Sequence, residues 1–171
     1  MPYETLPKRL ERWAEQRVPG LRTYLKREHL RDSDKLIRDE LAQRTDRIKG
    51  VLDKAKSARV DAGSLKNLDK LDRATRKVEK VRDTIKFDSR GYRGIFDPEE
   101  VAERELHMLL DFDEKLFTRI EEVEAEAEKV GGLDDVQIND ALRDLEARLD
   151  ELYDLLGERE KFSVETLPAG P

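Results

Sequence analysis

The 171-residue chain contains no cysteine. That excludes disulfides, thiolate metal sites and cysteine nucleophiles and is compatible with a reducing compartment; the cytoplasm is the default expectation because neither a secretory signal nor a membrane span is read in the sequence. Nor is there a run of about 18 apolar residues, so no membrane-spanning helix is expected. The opening M-P-Y-E-T-L-P-K-R-L-E-R lacks the apolar stretch of about 7–15 residues that a secretory signal carries. Serines are few (Ser33, Ser57, Ser64, Ser89 and Ser163), and neither G-x-S-x-G nor a glycine-rich phosphate loop occurs. The parts of a nucleophilic or nucleotide-dependent active site are missing, so the chain is expected to be no enzyme and to need no cofactor.

What is abundant is charge. Asp, Glu, Lys and Arg make up 43% of the chain, against about 25% in ordinary globular proteins. Leu, Ile, Val and Phe still number 44, or 26%, above the level of roughly 20% that marks disorder. A chain rich in Ala, Glu, Lys, Leu and Arg reads as long helices. The expectation is one helical domain over 1–162 and a flexible tail over 163–171.

Apolar spacing divides that domain. Leu6, Leu10 and Trp13 share one face of a short helix that starts at Pro7 and ends at Pro19-Gly20. Leu21, Leu25 and Leu30 extend a second short piece to Asp32, so 1–31 reads as short N-terminal helices. Two roles are open for the Leu6, Leu10 and Trp13 face: capping one end of a bundle, or lying on a membrane surface. Lys8, Arg9, Arg12 and Arg17 favour the membrane, while Glu4, Glu11 and Glu15 oppose it.

A first long helix is expected from a cap at Ser33 or Asp34 to about Val60. Its stripe is Ile37, Leu41, Ile48, Leu52, Ala55 and Ala58, interrupted by Arg44 and Thr45. Asp61–Ser64 reads as a turn, with Ser64 capping a second helix striped by Leu65, Leu68, Leu71, Thr75, Val78, Val81 and Ile85. So short a turn folds 33–87 into an antiparallel helical hairpin. A third helix runs from Pro98 to about Val130, carrying the heptad Leu116, Ile120, Val123, Ala127 and Val130. Gly131-Gly132 breaks it. A fourth bears Ile138, Leu142, Leu145, Leu149, Leu152 and Leu156 at alternating steps of four and three, with Gly157 as its stop. Thus 98–157 forms a second hairpin.

Between the hairpins lies the connector 88–97. The surrounding stretch Phe87–Pro98, F-D-S-R-G-Y-R-G-I-F-D-P, gathers three aromatics and two glycines. Asp97 as cap, Pro98 at the first helical position and Glu100 form a capping box, and Phe96 with Val101 matches a hydrophobic staple. Arg90, Tyr92, Arg93 and Phe96 are the candidate partner-binding residues, because aromatics and arginines in a non-helical link exceed what a link needs. Phe96 has the staple as its competing role. R-G-Y-R-G has the form of one arginine–glycine unit, and G-Y-R-G formally fits a GxxG loop. One copy outside a helix–sheet context makes nucleic acid an unexpected partner.

Glu103, His107 and Asp111 share a helix face and could in principle hold a divalent metal. The dinuclear bundle motif Glu-x-x-His is absent, however, because Arg104 and Lys26 stand where its glutamates belong. No metal is expected.

The net charge of −6 conceals a split. Residues 1–96 hold 26 basic and 16 acidic side chains, a balance of +10, and residues 97–171 hold 8 and 24, a balance of −16. Like charges recur at i, i+4: Lys66/Lys70, Arg73/Lys77, Arg76/Lys80 and Arg82/Lys86 in the second helix, Glu122/Glu126, Glu124/Glu128, Asp140/Asp144, Glu146/Asp150 and Asp150/Asp154 beyond. Each costs an isolated helix about 0.2–0.5 kcal/mol. Packing the basic hairpin against the acidic one, within the chain or between subunits, reverses that cost.

The expected architecture is therefore all-α: an elongated antiparallel four-helix bundle of two long hairpins, with short N-terminal helices. The expected function is a non-enzymatic protein–protein interaction or scaffold module, working through its charged helical faces and the 88–97 connector. A homodimer is one form this partnership could take. The alternative is a peripheral membrane protein acting through the N-terminal helix and basic hairpin, and the third reading is nucleic-acid binding by the basic half.

Overall fold

Apolar residues recurring at steps of three and four put one stripe on a helix. Four such stripes are present in the computed structural model, which describes residues 12, 16–18, 30–87 and 103–166, with side chains at 12, 16–18, 37–87, 108 and 111–162. They belong to α1 (Leu30–Asp61), α2 (Leu68–Phe87), α3 (Glu103–Val130) and α4 (Gln137–Thr166). The fold is all-helical, with no strand among the described residues. The connector, and nearly all of the N-terminal segment, lie outside them.

The stripes close into one core. Ile37, Leu41, Ile48, Leu52 and Ala55 of α1 meet Leu71, Ala74, Val78, Val81 and Ile85 of α2. Leu116, Phe117, Ile120, Val123, Ala127 and Val130 of α3, and Ile138 through Leu156 of α4, complete it, and Val18 joins from the N-terminal segment. α1 packs against α2 and α3, and α4 packs against the same two. No Cα of α1 comes within 8 Å of α4, nor of α2 within 8 Å of α3, among the described residues.

Several sequence expectations shift. The interruption at Thr45 is filled: it is buried, and its hydroxyl donates to the Ala42 carbonyl at 2.7 Å. That internal bond lets a polar residue occupy a core step without an unpaired donor. In α2 the core step falls on Ala74; Thr75 is half-buried and bonds the Leu71 carbonyl instead. Ala58 is exposed. Ser33 and Asp34 do not cap α1, which already begins at Leu30.

Ser64 does not cap α2 either. α1 ends in a Schellman motif, with Ser64 N–H donating to the Arg59 carbonyl and Gly63 N–H to that of Val60, both at 2.9 Å. Gly63, at φ 72°, supplies the left-handed residue. Because that motif consumes Gly63 and Ser64, the next helix starts only at Leu68 and Leu65 is left on the turn.

Gly157 does not stop α4, which continues to Thr166 and so takes in the first four residues of the expected tail. A mid-helix glycine costs about 1 kcal/mol relative to Ala. Side chains C-terminal to the glycine hold the extra turns in place. Arg159, 2% exposed, donates from Nε to Oδ1 of Asp113, 0% exposed, at 2.7 Å. Phe162 meets the Phe112 ring at 5.8 Å between centroids. Burial pushes the Asp113 carboxyl above the ordinary carboxylate range, further than the Arg159 guanidinium draws it down.

Candidate functional site

Charge is mostly spent inside the molecule. Arg44 and Arg47 of α1 reach Glu121 and Glu124 of α3, at 3.0 and 3.2 Å. Arg73 and Lys77 of α2 reach Glu146 and Asp150 of α4, at 3.7 and 2.6 Å. Arg17 also pairs with Glu121. Lys80 of α2 lies 3.8 Å from the centroid of the Tyr153 ring on α4. Basic first-half side chains thus meet acidic or aromatic second-half ones, as the charge split leads one to expect. Exposed pairs contribute only about 0–1 kcal/mol each, so the apolar core carries the stability. What the pairs set is which helix lies beside which.

Among the described residues, a cluster of bonds between the two halves of the chain lies where the turn 62–67 meets the turn 131–136. Asp135 is its hub. Its carboxylate accepts from Arg59 Nη1 and, at 3.4 Å, from the Ser64 hydroxyl, and Lys66 Nζ stands 3.6 Å away. Its carbonyl accepts from Asn67 Nδ2 at 3.0 Å, while Arg59 Nη2 donates to the Leu133 carbonyl at 2.8 Å. Lys70 reaches the Asn139 side chain. Asn67 is held at φ 62°, a left-handed conformation uncommon outside glycine. The bond to the opposite turn offsets that strain.

The second turn is fixed from its own side too. Oδ1 of Asp134 accepts from the Val136 and Gln137 backbone N–H groups, at 2.9 and 2.8 Å. Gln137 Oε1 accepts in return from Asp134 N–H at 3.5 Å, closing a capping box. On these two braced turns stand exposed apolar side chains: Leu65 and Val136, each 76% exposed, with Val60 at 49% at the end of α1. Lys66, Asp69, Val136 and Asp140 help line a shallow open cleft between the turns.

Hydrogen bonding and the charge of Arg59 hold the Asp135 carboxyl below the ordinary carboxylate range. A carboxyl lowered in the folded state adds stability above its unfolded value, and that stability is lost as pH falls through the folded one. The urea midpoint of Asp135→Asn is therefore expected to lie below that of the wild type at pH 7. The gap should close as the pH drops below about 4. A gap that stays constant from pH 7 to pH 3 would show that the ionised Asp135 is not what ties the turns.

The partner-binding candidates Arg90, Tyr92, Arg93 and Phe96, and the docking-face candidates Leu6, Leu10 and Trp13, lie outside the described residues. Glu103 and His107 fall on α3, with side chains outside the described ones; Asp111 is exposed beside Glu114 and Lys115 in another shallow cleft. Among the described residues no group of three His, Asp or Glu side chains is placed to hold a metal ion. None of their helices is long and apolar enough to cross a membrane. Sequence reading missed the Asp135 hub, although the Asp134-x-x-Gln137 box beside it was visible as a capping signature. Compared with known proteins, the chain matches no family model, no curated protein and no solved structure.

Proposed function

We propose that this chain is a non-enzymatic interaction or scaffold module: two antiparallel helical hairpins side by side, their turns forming a braced tip on which a protein partner docks. The numbering of the ion pairs supports the arrangement. Between α1 and α2, Lys49 pairs with Glu79 and Lys56 with Asp72, so one number rises as the other falls. Between α3 and α4 the pairs Arg119–Glu151 and Arg148–Glu122 behave alike. From α1 to α3 the numbers rise together, from Arg44–Glu121 to Arg47–Glu124.

The observation that carries the functional reading is the exposure of Leu65 and Val136 on turns locked by side-chain bonds. Large apolar groups held rigidly in water avoid much of the ordering cost of binding. The charged faces are weaker candidates, because much of their charge is paired across the halves. The same pairing counts against the membrane and nucleic-acid readings, which need basic surface free for phosphate.

A photo-cross-linking amino acid at position 65 or 136, with position 76 on α2 as control, tests this in extracts of the native cell. Adducts are expected from 65 and 136 and not from 76. Adducts from position 76 alone, or from none, would contradict a docking tip.

A further inference from the structure

Core packing along α4 stops at Leu156. Of the side chains described beyond it, Arg159 alone is buried, and it is charged; Glu158, Glu160 and Lys161 are exposed and Phe162 is half-buried. Neighbouring helices run out at the same level. Lys77 meets Asp150 and Lys80 meets Tyr153. That register, carried on to Ile85, the last buried residue of α2, reaches Glu158. No Cα of α1 comes within 8 Å of α4. Among the described residues, α3 is the helix that takes the last turns, with Arg159 on Asp113 and Phe162 on Phe112. Gly157 marks the boundary. Its backbone is not left-handed, and a methyl group there would meet no atom within 4 Å outside its own stretch of helix. Neither a turn nor close packing asks for glycine at this place. Its effect is to ease departure from the helix, because glycine regains more backbone freedom than any other residue when the helix opens.

From this we infer that the last turns of α4, 158–166, are a strap hinged at Gly157, which opens from α3 as one unit while the core stays packed. Two features make the opening cooperative. Losing one member of a buried ion pair is costly because it strands the other charge in the interior. Opening the strap strands neither, since Arg159 and Asp113 reach water together. So short a helix also has no stability of its own in water, so release from α3 and unwinding are a single event. Opening bares the Asp113 carboxylate and the Phe112 ring, at the end of α4 far from the braced turns. The strap therefore governs access to that part of α3.

Native-state hydrogen exchange of the full-length protein, followed residue by residue by NMR with and without a low concentration of urea, tests this. The backbone amides of 158–162 are expected to share one level of protection, at least tenfold below that of 142–152, with a step at Gly157. Their exchange should respond little to urea, because opening the strap exposes little surface, while exchange at 142–152 responds strongly. Gly157→Ala, which has room for its methyl, should slow exchange at 158–162 at least threefold, since alanine holds the helix better. Protection at 158–162 equal to that at 142–152 overturns the inference, because the strap then opens only when the whole bundle does. So does protection that declines residue by residue towards the end of α4 without a step at Gly157, which is fraying and not a strap. Unchanged exchange in Gly157→Ala overturns it too, since the hinge is then elsewhere.

Discussion

Replacing Arg159 by Met is expected to destabilise the protein by about 3–5 kcal/mol at neutral pH, because it strands a buried carboxylate. Asp113 is fully buried, and the Arg159 guanidinium faces it with two nitrogens, at 2.7 and 3.4 Å. Burial alone already holds this carboxyl high. Without its counter-ion the folded state keeps it only by taking up a proton. A carboxyl raised in the folded state gains stability as pH falls, so the deficit of Arg159→Met should shrink from pH 7 towards pH 4. The double variant Asp113→Leu/Arg159→Met should recover most or all of the loss, since an apolar pair can replace a buried ion pair without penalty. Urea unfolding of the three proteins at both pH values measures this. A single variant as stable as the wild type would mean the last turns of α4 are not docked on α3.

The second large effect is expected in the leucine seam. Leu149 is 1% exposed at the middle of α4. Leu149→Ala removes that packing and leaves a cavity that neighbouring helices fill only in part, at a cost of about 2–5 kcal/mol. Leu65→Ala, on the turn, should by contrast stay within about 0.5 kcal/mol. The pair separates two leucines that composition cannot tell apart. A Leu149→Ala cost below about half a kcal/mol would place the seam in solvent and contradict the packed helical core.

These residues also show where sequence reading succeeds and where it stops. The steps from Ile138 to Leu156 identified the core face of α4 because buried leucines leave a periodic trace. Taking that rhythm one step further lands on Arg159, and taking the α3 rhythm one step back from Leu116 lands on Asp113. Both were legible as core positions, yet a pattern read through apolar residues alone passes over charges. Leu65 fails in the other direction. It continues the stripe of α2 by count, but the left-handed backbone at Gly63 and Asn67 delays the helix to Leu68 and turns Leu65 outward. The contact between the two turns has no local signature, because Asp135 and Asn67 are 68 positions apart and meet only when the helices pack. The charge split does leave a trace: like charges clustered on one helix meet opposite charges on another, as Arg44 and Arg47 meet Glu121 and Glu124.

The absence of native cysteine makes the decisive measurement simple. Spin labels on cysteines introduced at Leu65 and Val136, in protein diluted with unlabelled chain, report the distance between the two turns within one molecule. Two touching turns predict a single short distance, below about 20 Å once the label arms are included. Were the hairpins instead packed with their turns at opposite ends, the 20-residue length of α2, at about 1.5 Å per residue, would hold the labels about 30 Å or more apart. A short distance supports the braced tip; the long one would contradict it, and the docking surface with it.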